Sequence, residues 1–147
     1  MHSHIGHLYA LLETAKEIGV PHTYVHFFGD GRDTAPCSAA GYAKDLLAFM
    51  KKENYGELAT VIGRYYAMDR DKRWERVKIA LDGLVSGEGD NGEDVIAAIE
   101  ENYAKDVTDE FLKPIIVNGE AGRIKGGHHH TTLMVPLLSI NILNSRR

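Results

Sequence analysis

Two short β-rich runs, Thr23 to Phe28 and Leu58 to Ile62, each stop at a glycine, and each glycine opens a loop that carries arginine. Such strand-to-loop joints leave few ways to fold, because helical segments lie on either side of them. From His7 to Ile18 the residues Leu8, Leu11, Leu12 and Ala15 recur at helical spacing, with Gly19 as a stop. Ser38 reads as the N-cap of a second helix to about Lys52, with Leu46, Leu47 and Met50 facing inward. Asp69 is expected to cap a third helix running to about Val85, burying Trp74, Val77, Ala80, Leu81 and Leu84. Ser86 to Gly92 reads as a loop, Val95 to Tyr103 as a fourth helix, and Ile115 to Val117 as a short strand. Helix, strand, helix, strand, helix is the order of βαβ units, whose crossovers are right-handed. The chain is therefore expected to be an α/β domain with a short, mainly parallel sheet and flanking helices.

In open sheets of this kind, ligands bind beyond the carboxyl ends of the strands. Two loops leave the strands there: Gly29-Asp30-Gly31-Arg32-Asp33-Thr34, and Gly63 to Arg70. His2-Ser3-His4, directly before the first helix, is a third candidate for the same crevice. Together they bring His2, His4, Arg32, Asp33, Arg64, Arg70 and Arg73. A guanidinium forks onto a carboxylate or phosphate with two charge-assisted hydrogen bonds, so such a cluster suits a small polyanion. The alternative is a set of solvated charges worth little energetically. Arg70, Arg73 and Arg76, at helical spacing beside Asp71 and Glu75, could equally form a solvated helix face.

Charge narrows the partners. The net charge is -4, from 21 acidic against 17 basic side chains, the wrong sign for a nucleic-acid binder. The longest apolar stretch, Thr131 to Leu143, is broken by Pro136 and too short to span a bilayer. Nothing at the start resembles a secretory signal, and Cys37, the single cysteine, has no internal partner. A cytoplasmic protein that binds neither nucleic acid nor membrane is the expectation. No Cys, Asp or Glu stands at ligand spacing from His2-Ser3-His4, and His128-His129-His130, able to chelate a stray divalent ion, reads as incidental in an unpatterned tail, so no metal is expected to bind this chain.

The loops also carry a resemblance. His-Ser-His before a Leu-rich helix, Asp-Gly-Arg-Asp-Thr from Asp30, and Gly-Arg-Tyr-Tyr-Ala-Met-Asp-Arg-Asp-Lys-Arg-Trp from Gly63 resemble the 2,3-bisphosphoglycerate-independent phosphoglycerate mutases. Thr108-Asp109-Glu110-Phe111, Lys113-Pro114 and Gly122-Arg123-Ile124-Lys125 fit the same family. The resemblance implies an isomerase of glycolysis and gluconeogenesis that interconverts 3-phosphoglycerate and 2-phosphoglycerate. It implies two domains, one metal-dependent with a serine nucleophile and two manganese ions, the other gripping the substrate. On that basis His2, Arg32, Asp33, Arg64 and Arg70 match substrate-contacting positions.

The family's metal ligands and nucleophilic serine are expected in segments this chain does not contain, so no residue here is assigned a catalytic role. Residues 1–125 read as the substrate-binding domain, incomplete at both ends. In the family, an Arg-x-x-Arg pair would fall near Pro136 and Ser139, and neither is arginine. Residues 126–147 therefore read as a divergent apolar tail. The competing reading is a non-catalytic anion-binding module.

Overall fold

A computed structural model describes residues 4–126 in full and, beyond them, the backbone of four short strands. The elements run α1 (Ile5–Glu17), β1 (Tyr24–Gly29), α2 (Ala39–Glu53), β2 (Glu57–Gly63), α3 (Arg64–Ala67) and α4 (Trp74–Leu81). A π-helical turn (Asp82–Ser86), β3 (Asp90–Asn91), α5 (Val95–Tyr103), a 3-10 turn (Asp109–Phe111) and β4 (Ile115–Ile116) complete the fully described part.

The main sheet has the order β1-β2-β4-β3. β1 and β2 run parallel around α2, and β3 runs parallel to β4, while β2 and β4 are antiparallel. The sheet is thus mixed, with two parallel pairings and one antiparallel. Alternate residues of the parallel pair point to opposite faces. Val25, Phe27 and Val61 join Leu8 and Leu12 of α1, Leu46 and Met50 of α2, and Ile99 of α5 in the main core. Burying each such large side chain contributes about 1.5–3 kcal/mol. On the other face Phe28 and Ile62 meet Ala80 of α4 in a smaller cluster.

Three expectations are corrected. The segment from Asp69 to Val85 is not one helix: α3 stops at Ala67, α4 starts only at Trp74, and the chain widens into the π turn from Asp82. The projected stripe fails accordingly. Only Ala80 of α4 is buried, whereas Trp74 is 70% exposed and Leu81 54%. Ser38 stands at the N-cap of α2, but its side chain does not cap the helix. The Asp109 carboxylate does so from 71 residues downstream, accepting from the Ser38 N–H at 2.8 Å and the Ala39 N–H at 2.9 Å. Finally, the Gly-rich segment after Ser86 contributes β3. It joins β4 through Asp90 N–H to the Pro114 carbonyl and Gly92 N–H to the Ile116 carbonyl, both 2.8 Å.

Beyond residue 126 the backbone of β6 (Thr132–Val135) pairs antiparallel with β7 (Leu138–Asn141), and β5 (His128–His129) with β8 (Asn144–Ser145). β7 runs close to β1. No helix among the described residues is long and apolar enough to cross a membrane.

Candidate functional site

The carboxyl ends of β1 and β2 lie side by side, with Gly29 opposite Gly63. Their loops enclose a cavity of about 610 Å³ whose lining includes Arg32, Arg64, Arg70, Arg76, Tyr65 and Asp69. The local backbone explains the placement. Gly31 has a φ of +67°, a conformation L side chains rarely adopt, and it turns the chain so that Arg32 re-enters the crevice. Gly63 ends β2 and leads straight into α3, placing Arg64 at the first position of that turn.

Three of the four guanidiniums are matched by carboxylates. Arg64 pairs with the buried Asp30 and, at 3.3 Å, with the exposed Asp33. Arg32 Nε donates to Glu110 Oε1 at 2.7 Å. That hydrogen bond is the largest cause of the raised pKa of Arg32, which holds the guanidinium charged. Arg76 lies 3.4 Å from Asp69 and sits 3.9 Å above the Tyr65 ring, a cation–π contact. Arg70 is exposed and has no carboxylate partner among the described residues.

Of the residues singled out from sequence, Arg32, Arg64 and Arg70 share this cavity. Asp33 reaches it only through Arg64. His2 lies outside the described residues. His4 is elsewhere engaged: its ring Nδ1 accepts from the Gly6 N–H at 3.1 Å, and its own N–H donates to His7 Nδ1 at 3.1 Å, a capping box for α1. Arg76 corrects the reading of a solvated helix face, because its side chain is 26% exposed and lines the cavity. Asp69 does not cap a helix as the residue before it; its carboxylate instead accepts from the Arg73 N–H at 2.8 Å while holding Arg76.

Sequence reasoning missed Asp30, Glu110, Tyr65 and Asp69 as partners of the arginines. Asp30 and Glu110 were visible inside the Asp-Gly-Arg-Asp-Thr and Thr-Asp-Glu-Phe runs. Nothing in their spacing foretells that Glu110 meets an arginine 78 positions earlier.

Asp109 is buried and heavily used. Besides the α2 amides, it accepts from the Tyr103 hydroxyl, and its own N–H donates to the Pro36 carbonyl at 2.8 Å. Burial first, and then the hydrogen bond to Asp109, pushes the Tyr103 pKa well above the usual tyrosine value. Among the described residues no group of three or more His, Cys, Asp or Glu could hold a metal ion.

The mixed α/β domain thus gathers four guanidiniums in one cavity at the carboxyl edge of a parallel strand pair, the chemistry that suits a small polyanion. The sequence places it more closely. Residues 1–132 match the family described as BPG-independent PGAM N-terminus, and the chain belongs to that family. The match runs seven residues past Lys125. The chain is 54% identical to the 2,3-bisphosphoglycerate-independent phosphoglycerate mutase of Onchocerca volvulus over 129 residues, covering 86% of this chain and 25% of that protein. It is 56% identical to the enzyme of the same name from Listeria welshimeri over 117 residues, covering 80% of this chain and 23% of the relative. Among solved structures it is similar to the Leishmania mexicana phosphoglycerate mutase crystallised at low cobalt concentration. That match has a TM-score of 0.74 and 29% identity, and covers 86% of this chain and 24% of the other. The chain thus spans about a quarter of the length of these relatives.

Proposed function

We propose that this chain is the substrate-gripping part of a cofactor-independent phosphoglycerate mutase and holds 2- or 3-phosphoglycerate in the arginine cavity. The observation that carries the reading is the convergence of Arg32, Arg64, Arg70 and Arg76 on one cavity in a chain of net charge -4. A phosphoglycerate carries both a carboxylate and a phosphate, and planar guanidiniums recognise both. Arg70, which has no carboxylate partner among the described residues, is placed to make the first contact. Arg32 and Arg64 then exchange part of their pairing with Glu110 and Asp33 for the ligand. Asp33, exposed beside Arg64, turns to accept from the glycerate hydroxyl once that exchange releases it. His2 joins this set by its position in the family's motif.

In this reading the chain positions the substrate and stabilises its charge, which is the larger share of the work in phosphoryl transfer. The two manganese ions implied by the family supply charge neutralisation when bound. The ligands of those ions and the nucleophile are assigned, on the resemblance, to segments outside this chain. The domain reading is proposed likewise: residues 1–125 as the binding domain, and 126–147 as a tail outside it. The cytoplasm, where glycolysis runs, is the proposed location.

Calorimetric titration of the purified chain with 3-phosphoglycerate tests the reading, with inorganic phosphate as the comparison. Preference for 3-phosphoglycerate is expected, because two anionic groups engage more guanidiniums than one. Equal binding of both would favour a general anion-binding module. The chain alone, supplied with manganese, is expected to show no mutase or phosphatase turnover; metal-dependent turnover by the pure chain would refute the two-domain reading.

A further inference from the structure

The 3-10 turn Asp109–Phe111 touches both loops that carry arginines of the cavity. Asp109 ties down the far end of the first loop, through its carboxylate at the Ser38 and Ala39 amides and its N–H at the Pro36 carbonyl. Glu110, almost buried with a side chain 11% exposed, takes the guanidinium of Arg32, which is 55% exposed. The Phe111 ring lies 5.0 Å from Tyr65, and Tyr65 carries Arg76. The backbone of the turn is equally engaged. A Cβ on Gly63 would run into the Glu110 carbonyl, a Cβ on Gly31 would stand 3.0 Å from the Glu110 amide, and the Gly63 N–H donates to the Leu112 carbonyl at 2.7 Å. Both arginine loops are thus seated on one three-residue turn encoded some 40 residues after the second of them.

We infer that this turn sets the spacing of the guanidiniums, and that Glu110 is a positioning residue that aims Arg32 at the ligand. An exposed arginine free in solution samples many rotamers and loses them on binding; a fixed, nearly buried carboxylate on Nε removes that freedom beforehand. Arg32 Nε donates to Glu110 Oε1 at 2.7 Å and Nη2 meets the same oxygen, while Arg32 is 55% exposed and lines the cavity. The inference deepens the proposed phosphoglycerate reading and rests on it for the identity of the ligand, but not for the state of Arg32.

The test has two arms on the full chain. In the first, NMR relaxation of the arginine Nε–H groups is measured without ligand. Arg32 is expected to be ordered in the wild type and in E110Q, whose amide oxygen still accepts from Nε, and mobile in E110A. E110D, which keeps the charge but withdraws the acceptor by one methylene, is expected to release Arg32 as well and serves if E110A does not fold. An Arg32 Nε–H as ordered in E110A or E110D as in the wild type overturns the inference. In the second arm 3-phosphoglycerate is titrated. E110A is expected to bind roughly tenfold more weakly and E110Q within about threefold of wild type. In an Arg32→Ala background, E110A is expected to cost nothing further. A cost that persists there, with a lowered melting temperature, would show Glu110 to be merely structural and would also overturn the inference. Absence of 3-phosphoglycerate binding by the wild type, together with Arg32 order that responds to Glu110 as stated, would instead refute the phosphoglycerate reading and leave the positioning role supported.

Discussion

The sheet carries two cavities of nearly equal size at its opposite edges. One, about 610 Å³, lies at the carboxyl ends of β1 and β2; the other, about 600 Å³, lies where those strands begin and includes Thr23, Lys51, Asn54, Tyr55, Glu57 and Asn118 in its lining. Size does not separate them. Chemistry does, because the first gathers four guanidiniums and the second a single ammonium. Several polar groups of the second are also spent locally: the Tyr55 hydroxyl bonds Thr23 at 2.7 Å and the Val20 carbonyl at 2.9 Å, and the Asn118 amide donates to Glu57. At the carboxyl edge, carboxylates hold arginines that still face the cavity. The lesson is that the loops following the parallel strands here gather ion-paired arginines around one cavity, whereas the opposite edge is built mainly on hydrogen bonds of hydroxyl and amide groups.

The largest expected effect is at Arg64. Arg64→Ala removes a proposed ligand contact and leaves the buried Asp30 without its Arg64 partner. A loss of about 1.5–3 kcal/mol in 3-phosphoglycerate binding is expected, with a lowered melting temperature. Arg32→Ala is expected to cost a similar amount of affinity with less effect on stability, since its side chain is half exposed. Calorimetry and thermal melts on the two variants check both, and an Arg64→Ala chain that binds like wild type would erase the difference between the edges.

A smaller effect concerns Tyr103, which anchors the carboxyl edge through Asp109. Its pKa is raised in the fold, so the folded state holds the proton more tightly than the unfolded chain. That stabilisation is fully present below about pH 10, the unfolded value, and is lost as pH rises toward the folded value. Stability is therefore expected to fall above about pH 10, and Tyr103→Phe, costing about 1 kcal/mol near neutrality, should flatten that fall. Denaturant melts from pH 8 to 11 measure it; an unchanged slope in the variant would detach Tyr103 from the effect.

Smaller still is the expected effect of the tail on the carboxyl edge. Truncation after Lys125 is proposed to raise soluble yield, because Thr131 to Leu143 is apolar and nearly uncharged, while affinity for 3-phosphoglycerate stays within about twofold. The backbone of β7 runs close to β1, which makes the experiment sharp. A shortened chain that unfolds or stops binding would show that the tail belongs to the sheet. At the other edge, Lys51→Ala is expected to leave 3-phosphoglycerate binding unchanged, and a loss there would move the ligand to the cavity where β1 and β2 begin.

Much of this was legible in the residues. The spacing of Leu8, Leu12 and Ala15 located α1, and that of Leu46 and Met50 located α2, because a helix repeats its inward face every three to four residues. The glycines after Phe28 and Ile62 marked where β1 and β2 end, and hence the edge at which Arg32, Arg64 and Arg70 gather. The same periodicity misled between Asp69 and Val85. A pattern read as one continuous helix was divided by an irregular stretch before Trp74 and widened at Asp82, so Trp74 and Leu81 face solvent.

What the sequence determined by itself was therefore local: which segments coil, which extend, where glycine permits the turn, and that basic loops follow the strands. The tertiary structure decided the pairings. β4 runs antiparallel to β2, and this delivers Asp109 to the start of α2 and Glu110 to Arg32. Arg76, indistinguishable in the chain from its exposed neighbours, became a cavity residue because Asp69 and the Tyr65 ring meet it there. Backbone preferences act over one turn of chain, so residue order can express them. Ion pairs and caps act through space at about 3 Å, and only the packed order of the strands brings their distant partners within that reach.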